Sequence, residues 1–364
     1  MKKFFVLLVG AMLLVGALAG CSGEGKNGAG KKVTLNVYNW GLYIDDEVMD
    51  VNAKFTEETG IEVNYKTFES NETMYTQLST GAVDYDVVFP SDYMVGKMIQ
   101  EDMLAKLDFS NIPNYQYIDE QYRNLAYDPQ NEYSVPYTWG TVGIFYNKKH
   151  VDEADLSQGW DILWNKKYEG QIYMFDNPRD AFGIALRKLG YSMNTTDKAE
   201  WEAAYQELLR QKPLLQGYFM DLILEKMPME EGWLAPYYSG DGAIMIYGEE
   251  GNKDIGYFVP QQGTNFFVDA MCVMKNTQHK KEAEEYINFL CRTDVAKANA
   301  EYIGYSTPHT EARKLLDPEV GENPVFYPSQ DILKNTEVFL TLPDEINKLQ
   351  DDLWIKLKTI SGSN

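Results

Sequence analysis

The sequence predicts an α/β fold made of two lobes. Within residues 33–89, alternating apolar residues give way twice to helical spacing, which indicates strand–helix–strand–helix–strand order. Strand and helix patterns alternate again after residue 140. The 344 residues that follow Gly20 exceed what one hydrophobic core usually organises, so about two domains are expected.

The first elements are read from the spacing of apolar residues, which are Val33, Leu35 and Val37 in a strand and Val48, Val51 and Phe55 in a helix. We expect Asp45 or Asp46 to cap this helix and Gly60 to end it. A second strand at 61–65, a helix ending before Gly81 and a buried strand at 87–89 follow. This order implies parallel strands covered by helices on both faces.

The later part of the chain repeats these patterns. Strands are expected at residues 142–146, 171–175, 255–259 and 267–274. A helix is expected at 197–209, where Asp197 and Glu200 have the spacing of a capping box. In open α/β sheets, ligands bind beyond the carboxyl ends of the strands, so the loops there are the candidate site.

The first 32 residues predict export and anchoring. Lys2 and Lys3 precede an apolar stretch that is shorter than the roughly 20 residues of a membrane-spanning helix, so residues 1–20 read as a signal peptide. The run Leu18-Ala19-Gly20-Cys21 resembles the bacterial lipobox, in which the cysteine is lipidated. Residues 22–32 are polar and glycine-rich, so segment 21–32 is expected to be a lipidated Cys21 with a flexible tether.

The charge of the chain restricts its partners. Removing residues 1–20, which contain two lysines and no acids, takes the formal net charge from -22 to -24. Such a protein repels phosphates, so nucleic acid is not expected as a partner. Secreted proteins are often acidic for solubility alone, so the charge does not by itself identify a cationic ligand.

Motifs of catalysis and cofactor binding are missing from the sequence. The three histidines, His150, His279 and His309, lie in no metal-ligand motif, and no nucleophile elbow or phosphate-binding glycine loop occurs. We therefore expect no enzyme activity, no metal and no cofactor, although abundant carboxylates leave a glycosidase conceivable. Cys272 and Cys291 are either buried thiols or one disulfide.

The predicted loops at the strand ends combine aromatic rings with carboxylates. They are residues 39–43, 90–93, 176–180 and 238–241. A linear aliphatic polyamine has charged amines separated by methylenes, so its site needs aromatic walls and spaced carboxylates. An oxyanion is disfavoured by Asp92, Asp180 and Asp241.

The order of several motifs resembles the bacterial spermidine/putrescine-binding proteins, the extracellular receptors of polyamine ABC importers. The resemblance extends from about Val33 to the C-terminal helix. The motifs that carry it are Tyr38-Asn39-Trp40, Glu69-Ser70-Asn71-Glu72-Thr73-Met74-Tyr75, Val135-Pro136-Tyr137-Thr138-Trp139-Gly140, Arg187-Lys188-Leu189-Gly190-Tyr191-Ser192 and Ile303-Gly304-Tyr305-Ser306-Thr307-Pro308. The resemblance implies a two-lobed periplasmic-binding-protein fold of type II, with the ligand cleft between lobes joined by a hinge.

The resemblance also implies ten ligand-binding residues, which are Trp40, Tyr43, Ser91, Tyr93, Asp180, Tyr238, Asp241, Phe267, Asp269 and Tyr305. Asp269 stands where the family has the partner of a central amine, and Asp180 where it has a partner of a terminal ammonium. Tyr238 replaces the Trp that is usual in the family. Asp241 matches an acid of putrescine-type members.

Simpler structural interpretations exist for four of these residues. Trp40 and Phe267 also suit a hydrophobic core. Asp180 also suits the N-cap of a helix that begins at Ala181, and Asp241 suits a turn between two glycines. Only the collinear order of the motifs supports a binding role for all of these residues together.

The departures from the family concern the length of the ligand. Asn177 and Leu42 replace acids, and Phe339 replaces a polar residue near the C-terminus. With fewer carboxylates at the ends, putrescine is favoured over spermidine.

The sequence therefore predicts an extracytoplasmic polyamine receptor, lipid-anchored to the cell membrane through Cys21 and monomeric. It is expected to deliver putrescine or spermidine to the permease and ATPase of an ABC importer. A receptor of the same fold for another small cationic or polar solute is the alternative. The lobes are expected to comprise residues 33–142 plus 266–308 and residues 143–265 plus 309–364.

Overall fold

A computed structural model of the protein describes residues 32–81, 83–248 and 250–360. The strands are β1 Thr34–Trp40, β2 Glu62–Phe68, β3 Val87–Val88, β4 Ser134–Asn147, β5 Ile172–Phe175, β6 Leu215–Phe219, β7 Leu234–Tyr238, β8 Ile255–Phe258 and β9 Phe266–Val273. The helices are α1 Val51–Thr59, α2 Asn71–Thr80, α3 Asp92–Gln100, α4 Pro178–Lys188, α5 Lys198–Gln211, α6 Leu222–Lys226, α7 Gly242–Tyr247, α8 Lys280–Leu290, α9 Thr293–Ile303, α10 Thr310–Lys314, α11 Pro318–Gly321, α12 Gln330–Leu333 and α13 Asp344–Thr359.

The strands follow the order β2-β1-β3-β9-β4-β7-β5-β6, and β8 also pairs with β4. β1 is parallel to β2 and β3, as the sequence predicts for this part. β9 is antiparallel to both β3 and β4, so the complete sheet is mixed.

Strand β4 joins two lobes. Its residues Ser134–Thr141 pair with β9, whereas Val142–Asn147 pair with β7 and β8. We call the part with β1, β2, β3 and β9 the first lobe and the part with β5 to β8 the second lobe. The predicted two-lobed α/β architecture is confirmed.

Three apolar cores support this arrangement. One core fills the second lobe around Trp160, Phe175 and Trp201. The other two belong to the first lobe, one around Trp139 and one around Phe55. Each core gathers residues from strands and from helices, as expected for a sheet covered on both faces.

The chain passes between the lobes again near Asn265 and Glu337. The Glu337 amide donates to Thr264 O at 3.0 Å, and the Phe266 amide donates to Glu337 O at 2.9 Å. Before this return, Leu316 and Phe326 pack in the core around Trp139. The exact lobe limits given above stay a prediction.

Two predicted helix caps are wrong in detail. Helix α1 begins at Val51, and its cap is Asp50, whose side chain accepts from the Ala53 amide at 3.1 Å. Asp45 instead accepts the amides of residues 47–49 in the turn before α1, which leaves Val48 89% exposed. Gly60 does end the helix, with φ at 77°.

Helix α5 is present where the sequence predicts it, but its cap is simpler than a capping box. Asp197 accepts the Ala199 amide at 2.8 Å, and within the described residues Glu200 returns no bond to the cap. No helix among those described combines the length and the apolar composition that crossing a membrane requires.

Candidate functional site

Asp269 forms the first polar cluster of the site. It lies in the middle of β9 and is 4% exposed. Ser91 Oγ donates to its Oδ1 at 2.6 Å, and the Tyr43 hydroxyl donates to its Oδ2 at 2.7 Å. Thr138, its partner in the β4–β9 register, lies 3.4 Å from Oδ2. Both carboxylate oxygens are therefore held by hydroxyl groups.

Hydrogen bonds from neighbouring strands and helices fix the loops around Asp269. Trp40 Nε1, at the end of β1, donates to Phe89 O beyond β3 at 2.9 Å. The Tyr137 hydroxyl donates to Tyr43 O at 2.7 Å. Asn71 Nδ2 donates to Ser91 Oγ at 3.0 Å, so the starts of α2 and α3 are tied together.

Asp180 and Tyr238 form a second cluster, in the second lobe. Asp180 lies in the first turn of α4 and Tyr238 at the end of β7, and the phenol donates to Asp180 Oδ2 at 2.7 Å. Asn177 is the N-cap of α4 and accepts from the Arg179 amide at 2.9 Å. The interpretation of Asp180 as a cap of this helix is therefore wrong, and its carboxylate is available to the site.

Asp241 and Tyr305 form a third cluster. Asp241 precedes α7 and makes no capping bond, whereas the Tyr305 hydroxyl donates to Asp241 Oδ2 at 2.9 Å. The Tyr305 ring lies directly over Gly240, where a Cβ atom would be 2.4 Å from ring carbon Cγ. Glycine at this position is therefore needed for the close approach of the ring.

Aromatic rings connect the three clusters. Phe267 lies 5.6 Å from Tyr238 and 6.0 Å from Tyr305, measured between ring centroids. Tyr305 lies 5.6 Å from Tyr43, which lies 6.3 Å from Trp40. These rings are half-buried rather than enclosed in a core. They form a row along which the carboxylates of Asp180, Asp241 and Asp269 are distributed.

Tyr93 lies near this row but is held differently. Its hydroxyl donates to Glu72 at 2.8 Å, and its carbonyl accepts from Thr341 Oγ1 at 2.9 Å. Burial raises its pKa, with Glu72 adding to the shift. The structure thus brings all ten predicted residues together around the carboxyl ends of β1, β3 and β7 and the first half of β9. Cys21 lies outside the described residues.

Burial dominates the electrostatics of the carboxylates. It raises the pKa of Asp180 to about 6, against the opposing effects of the Tyr238 hydrogen bond and of Arg179. It raises the pKa of Asp241 to about 7, against the hydrogen bond from Tyr305. Burial also raises the pKa of Asp269, although three hydroxyl groups oppose the shift. Among the described residues, no basic side chain forms an ion pair with any of the three.

Sequence reasoning did not assign several residues that shape the site. Thr138 and Asn71 lie within the quoted motifs, but only the β4–β9 register and the α2–α3 contact show their bonds to Asp269 and Ser91. Arg179, next to Asp180, is a cation beside the site. Asp92 is a buried acid whose pKa burial raises well above its usual value.

The arrangement suits the binding of a cation. A buried carboxylate with no cationic partner carries a large desolvation cost, which a cationic ligand relieves. The described residues hold no group of three or more metal-ligating side chains. The site therefore offers hydroxyl-oriented carboxylates and aromatic faces, both of which attract ammonium groups.

A family model described as bacterial extracellular solute-binding protein matches residues 51–327. The chain belongs to this family. This solute-binding protein resembles known binding proteins across almost its full length. The spermidine/putrescine-binding periplasmic protein of Escherichia coli is 41% identical over 340 residues, which cover 93% of this chain and 93% of that protein. The putrescine-binding periplasmic protein SpuD of Pseudomonas aeruginosa is 30% identical and covers 99% of both chains.

Solved structures agree with the fold. The substrate-binding protein PotD of the spermidine/putrescine ABC transporter of Streptococcus pneumoniae superposes with a TM-score of 0.81 at 37% identity. The match covers 90% of this solute-binding protein and 99% of PotD. The predicted periplasmic-binding-protein fold of type II is confirmed. The two named relatives are binding proteins, and PotD is the substrate-binding protein of an ABC transporter.

Proposed function

We propose that this solute-binding protein is a receptor for a linear polyamine, putrescine or spermidine, and delivers it to an ABC importer. The observation that carries the proposal is a set of three carboxylates, the buried Asp180 and Asp269 and the half-buried Asp241. Each accepts a tyrosine hydroxyl, and none is paired with a basic side chain in the described part. The names of the relatives at 41% and 30% identity support the same ligand class.

The aromatic row explains why the cation is an aliphatic polyamine. A cation over an aromatic face gains about 0.5 to 2 kcal/mol. Each methylene that leaves water for an apolar surface gains about 0.8 kcal/mol. Rings that alternate with carboxylates therefore match a chain in which methylenes alternate with ammonium groups. A bare metal ion has no methylenes to bury, so it gains no free energy from the apolar faces of the rings in this way.

The proposed ligand-binding residues are the ten predicted from the sequence. Aromatic rings line the methylenes, and carboxylates pair with the ammonium groups. The rings are those of Trp40, Tyr43, Phe267, Tyr238 and Tyr305, and the carboxylates are those of Asp180, Asp241 and Asp269. Ser91 orients Asp269 through its bond to Oδ1. Tyr93 closes the side of α3, where Thr341 of the returning chain holds its carbonyl.

Transport follows from closure of the lobes around the ligand. We propose that the lobes, with limits near those predicted, close over the polyamine and present a joint surface to a membrane permease that is served by an ATPase. The sequence motif at Cys21 supports a lipid anchor on the extracytoplasmic face. A short tether would raise the effective concentration of receptor at the permease. Mass spectrometry of membrane fractions, compared between wild type and Cys21→Ser, tests the anchor.

Titration calorimetry on the soluble domain that begins at residue 33 tests the ligand. We expect heat from putrescine or spermidine at micromolar protein and none from glycerol or glucose. Arginine as the titrant covers the alternative of another cationic solute. No heat from any polyamine would overturn the proposal. Incubation with putrescine should leave the ligand chemically unchanged, since we propose binding without catalysis.

A further inference from the structure

A small cavity lies between helix α9 and strand β4, next to the candidate site. On the helix side it is lined by one face of α9, formed by Ala296, Asn299, Ala300 and Ile303. On the strand side the pairing of β4 with β9 shifts its register at Tyr137, which is the extra residue of a β-bulge. Two alanines opposite a bulge leave a volume of about 20 Å³.

Asn299 differs from the other helical residues of this lining because it is polar and almost fully buried. It is 2% exposed, and its Oδ1 accepts the Asp45 amide at 2.9 Å. Because a backbone N–H group is a donor, this bond fixes the oxygen of the side-chain amide on the Asp45 side. The nitrogen at the other end, Nδ2, has no hydrogen-bond partner within the described residues. A buried donor without a partner is costly, so the cavity is expected to supply one.

The volume and the lining of the cavity fit one water molecule. A buried water needs roughly 10 to 15 Å³ and two to four polar partners. Thr138 and Thr307 line the cavity together with Asn299. Thr138 Oγ1 makes only long contacts, of 3.4 Å each, to the Tyr43 hydroxyl and to Asp269 Oδ2. Asn299 Nδ2 as a donor and threonine hydroxyls as acceptors therefore match the requirements of a single water.

Asn299 also holds the loop that carries Tyr43. Its partner Asp45 follows Tyr43 by two residues and is 1% exposed. The Asp45 carbonyl accepts the Val51 amide at 2.9 Å, and its carboxylate accepts the amides of residues 47–49. The bond to Asn299 uses the remaining amide of Asp45. The turn after Tyr43 is therefore rigid in itself and is attached to α9 through this asparagine.

We propose that the cavity binds one structural water molecule on Asn299 Nδ2, and that Asn299 is a positioning residue for Tyr43 in the ligand site. The asparagine acts in two directions. Through Asp45 it holds the backbone of the loop, and through the water it reaches Thr138, which lies beside Asp269. The positioning role rests on the proposed function, whereas the water site does not depend on it.

High-resolution crystallography of the wild-type protein tests the water site. We expect one ordered water within hydrogen-bond distance of Asn299 Nδ2, both with and without a bound polyamine. In Asn299→Leu, which removes the donor at nearly constant side-chain volume, this water should be lost. A wild-type cavity without an ordered water at Nδ2 overturns the water site.

A double-mutant cycle tests the positioning role, with dissociation constants for putrescine and spermidine measured by calorimetry. Asn299→Leu should weaken binding by about tenfold, because the Tyr43 hydroxyl is no longer held against Asp269. In protein that already carries Tyr43→Phe, the same change should alter the constants by less than about twofold, because the hydroxyl that it positions is gone. Equal effects of Asn299→Leu in the two backgrounds overturn the positioning role.

Asn288→Leu is the matched control. Asn288 lies on α8, and its Oδ1 accepts the Asn114 amide at 2.9 Å. This is the same kind of bond to a loop, but the loop carries none of the ten proposed ligand-binding residues. Asn288→Leu should lower the melting temperature and leave polyamine affinity unchanged. A tenfold loss of affinity in this control would indicate a general effect of destabilisation and overturn the positioning role.

Two further provisions keep the outcomes distinct. Should Asn299→Leu fail to fold, Asn299→Ser serves in the same cycle, because its side chain is too short to reach the Asp45 amide and leaves room for water. Absence of binding of any polyamine by wild-type protein would refute the proposed function, whereas the crystallographic result on the water would stand by itself.

Discussion

The Tyr43 hydroxyl and Asp269 Oδ2 lie 2.7 Å apart although 226 positions of the chain separate the two residues. They meet because β3 lies between β1, which leads to Tyr43, and β9, which carries Asp269. With Ser91 on the other oxygen, the carboxylate is oriented before any ligand arrives. A preorganised acceptor of this kind avoids part of the ordering cost of binding.

Replacing Asp269 with Asn should weaken polyamine binding by more than about 2 kcal/mol, because an ammonium would be left without its charged partner in the cleft. Calorimetry with putrescine and spermidine measures the loss. Asp331→Asn, at an acid whose side chain is 87% exposed, is the matched control and should bind as wild type does. Wild-type affinity in Asp269→Asn would mean that the site is misplaced.

Gly240→Ala should weaken ligand binding by about 1 to 3 kcal/mol, since the new methyl group would displace the Tyr305 ring and its bond to Asp241. Gly41→Ala is the control, because a Cβ atom there has open space around it. Affinity and melting temperature should be measured for both variants. Equal affinities would show that Tyr305 adjusts without consequence.

Polyamine affinity should fall as the pH falls from about 8 towards 6, by at most about tenfold per pH unit for each titrating group. Burial raises the pKa of Asp241 to about 7 and that of Asp180 to about 6 in the empty site. A cationic ligand binds the ionised forms, so it lowers both pKa values and releases protons where they were protonated. Calorimetry at acid pH in buffers of different ionisation enthalpy measures this release.

The same raised pKa values affect the stability of the ligand-free protein in the opposite direction: the free energy of unfolding falls as the pH rises, whereas ligand affinity increases. Folded Asp180 and Asp241 hold protons that the unfolded chain has already lost above about pH 4, so their contribution to the unfolding free energy decreases as the pH rises through about 7. Tyr305→Phe removes the donor that opposes the shift of Asp241, and it should move the midpoint of the pH profile upward. An affinity that is constant between pH 6 and pH 8 would contradict the predicted pH dependence of binding, and an unfolding free energy that does not fall between about pH 5 and pH 7 would contradict that of stability.

Cys272 and Cys291 should react as two free thiols, and only after unfolding. Both are buried and unpaired, and they pack in two different cores of the first lobe. Burial raises the pKa of Cys291 to about 12 and that of Cys272 well above its usual value, which suppresses the reactive thiolate. Alkylation of the domain from residue 33, with and without denaturant, tests this, and a disulfide in the mass spectrum would contradict it.

Periodicity and motif order were sufficient to predict much of the fold. The alternation at residues 33–37 and 61–65 and the stop at Gly60 correspond to β1, β2 and the end of α1. The antiparallel return of β9 beside β3 could not be predicted, because strand pairing between distant segments leaves no local signal. The cap of α1 was missed because Asp45 and Asp50 fit the same local pattern.

The residues of the site were predictable only as a set. Asp180 and Asp241 each have a local alternative, as a cap or a turn, that their own neighbours cannot exclude. The structure excludes the cap for Asp180, because Asn177 occupies that position. The hydroxyl partner of each acid comes from a distant element, so no spacing rule could have paired Tyr238 with Asp180 or Tyr305 with Asp241.

Strand β4 contributes seven paired residues to one lobe and continues without interruption into the other. Neither lobe has its full strand pairing without its share of β4, because β9 pairs with one end of this strand and β7 and β8 pair with the other. Excising a single lobe would therefore expose unpaired backbone at the centre of a sheet. The two lobes should melt cooperatively, in one transition, even though their apolar cores are separate.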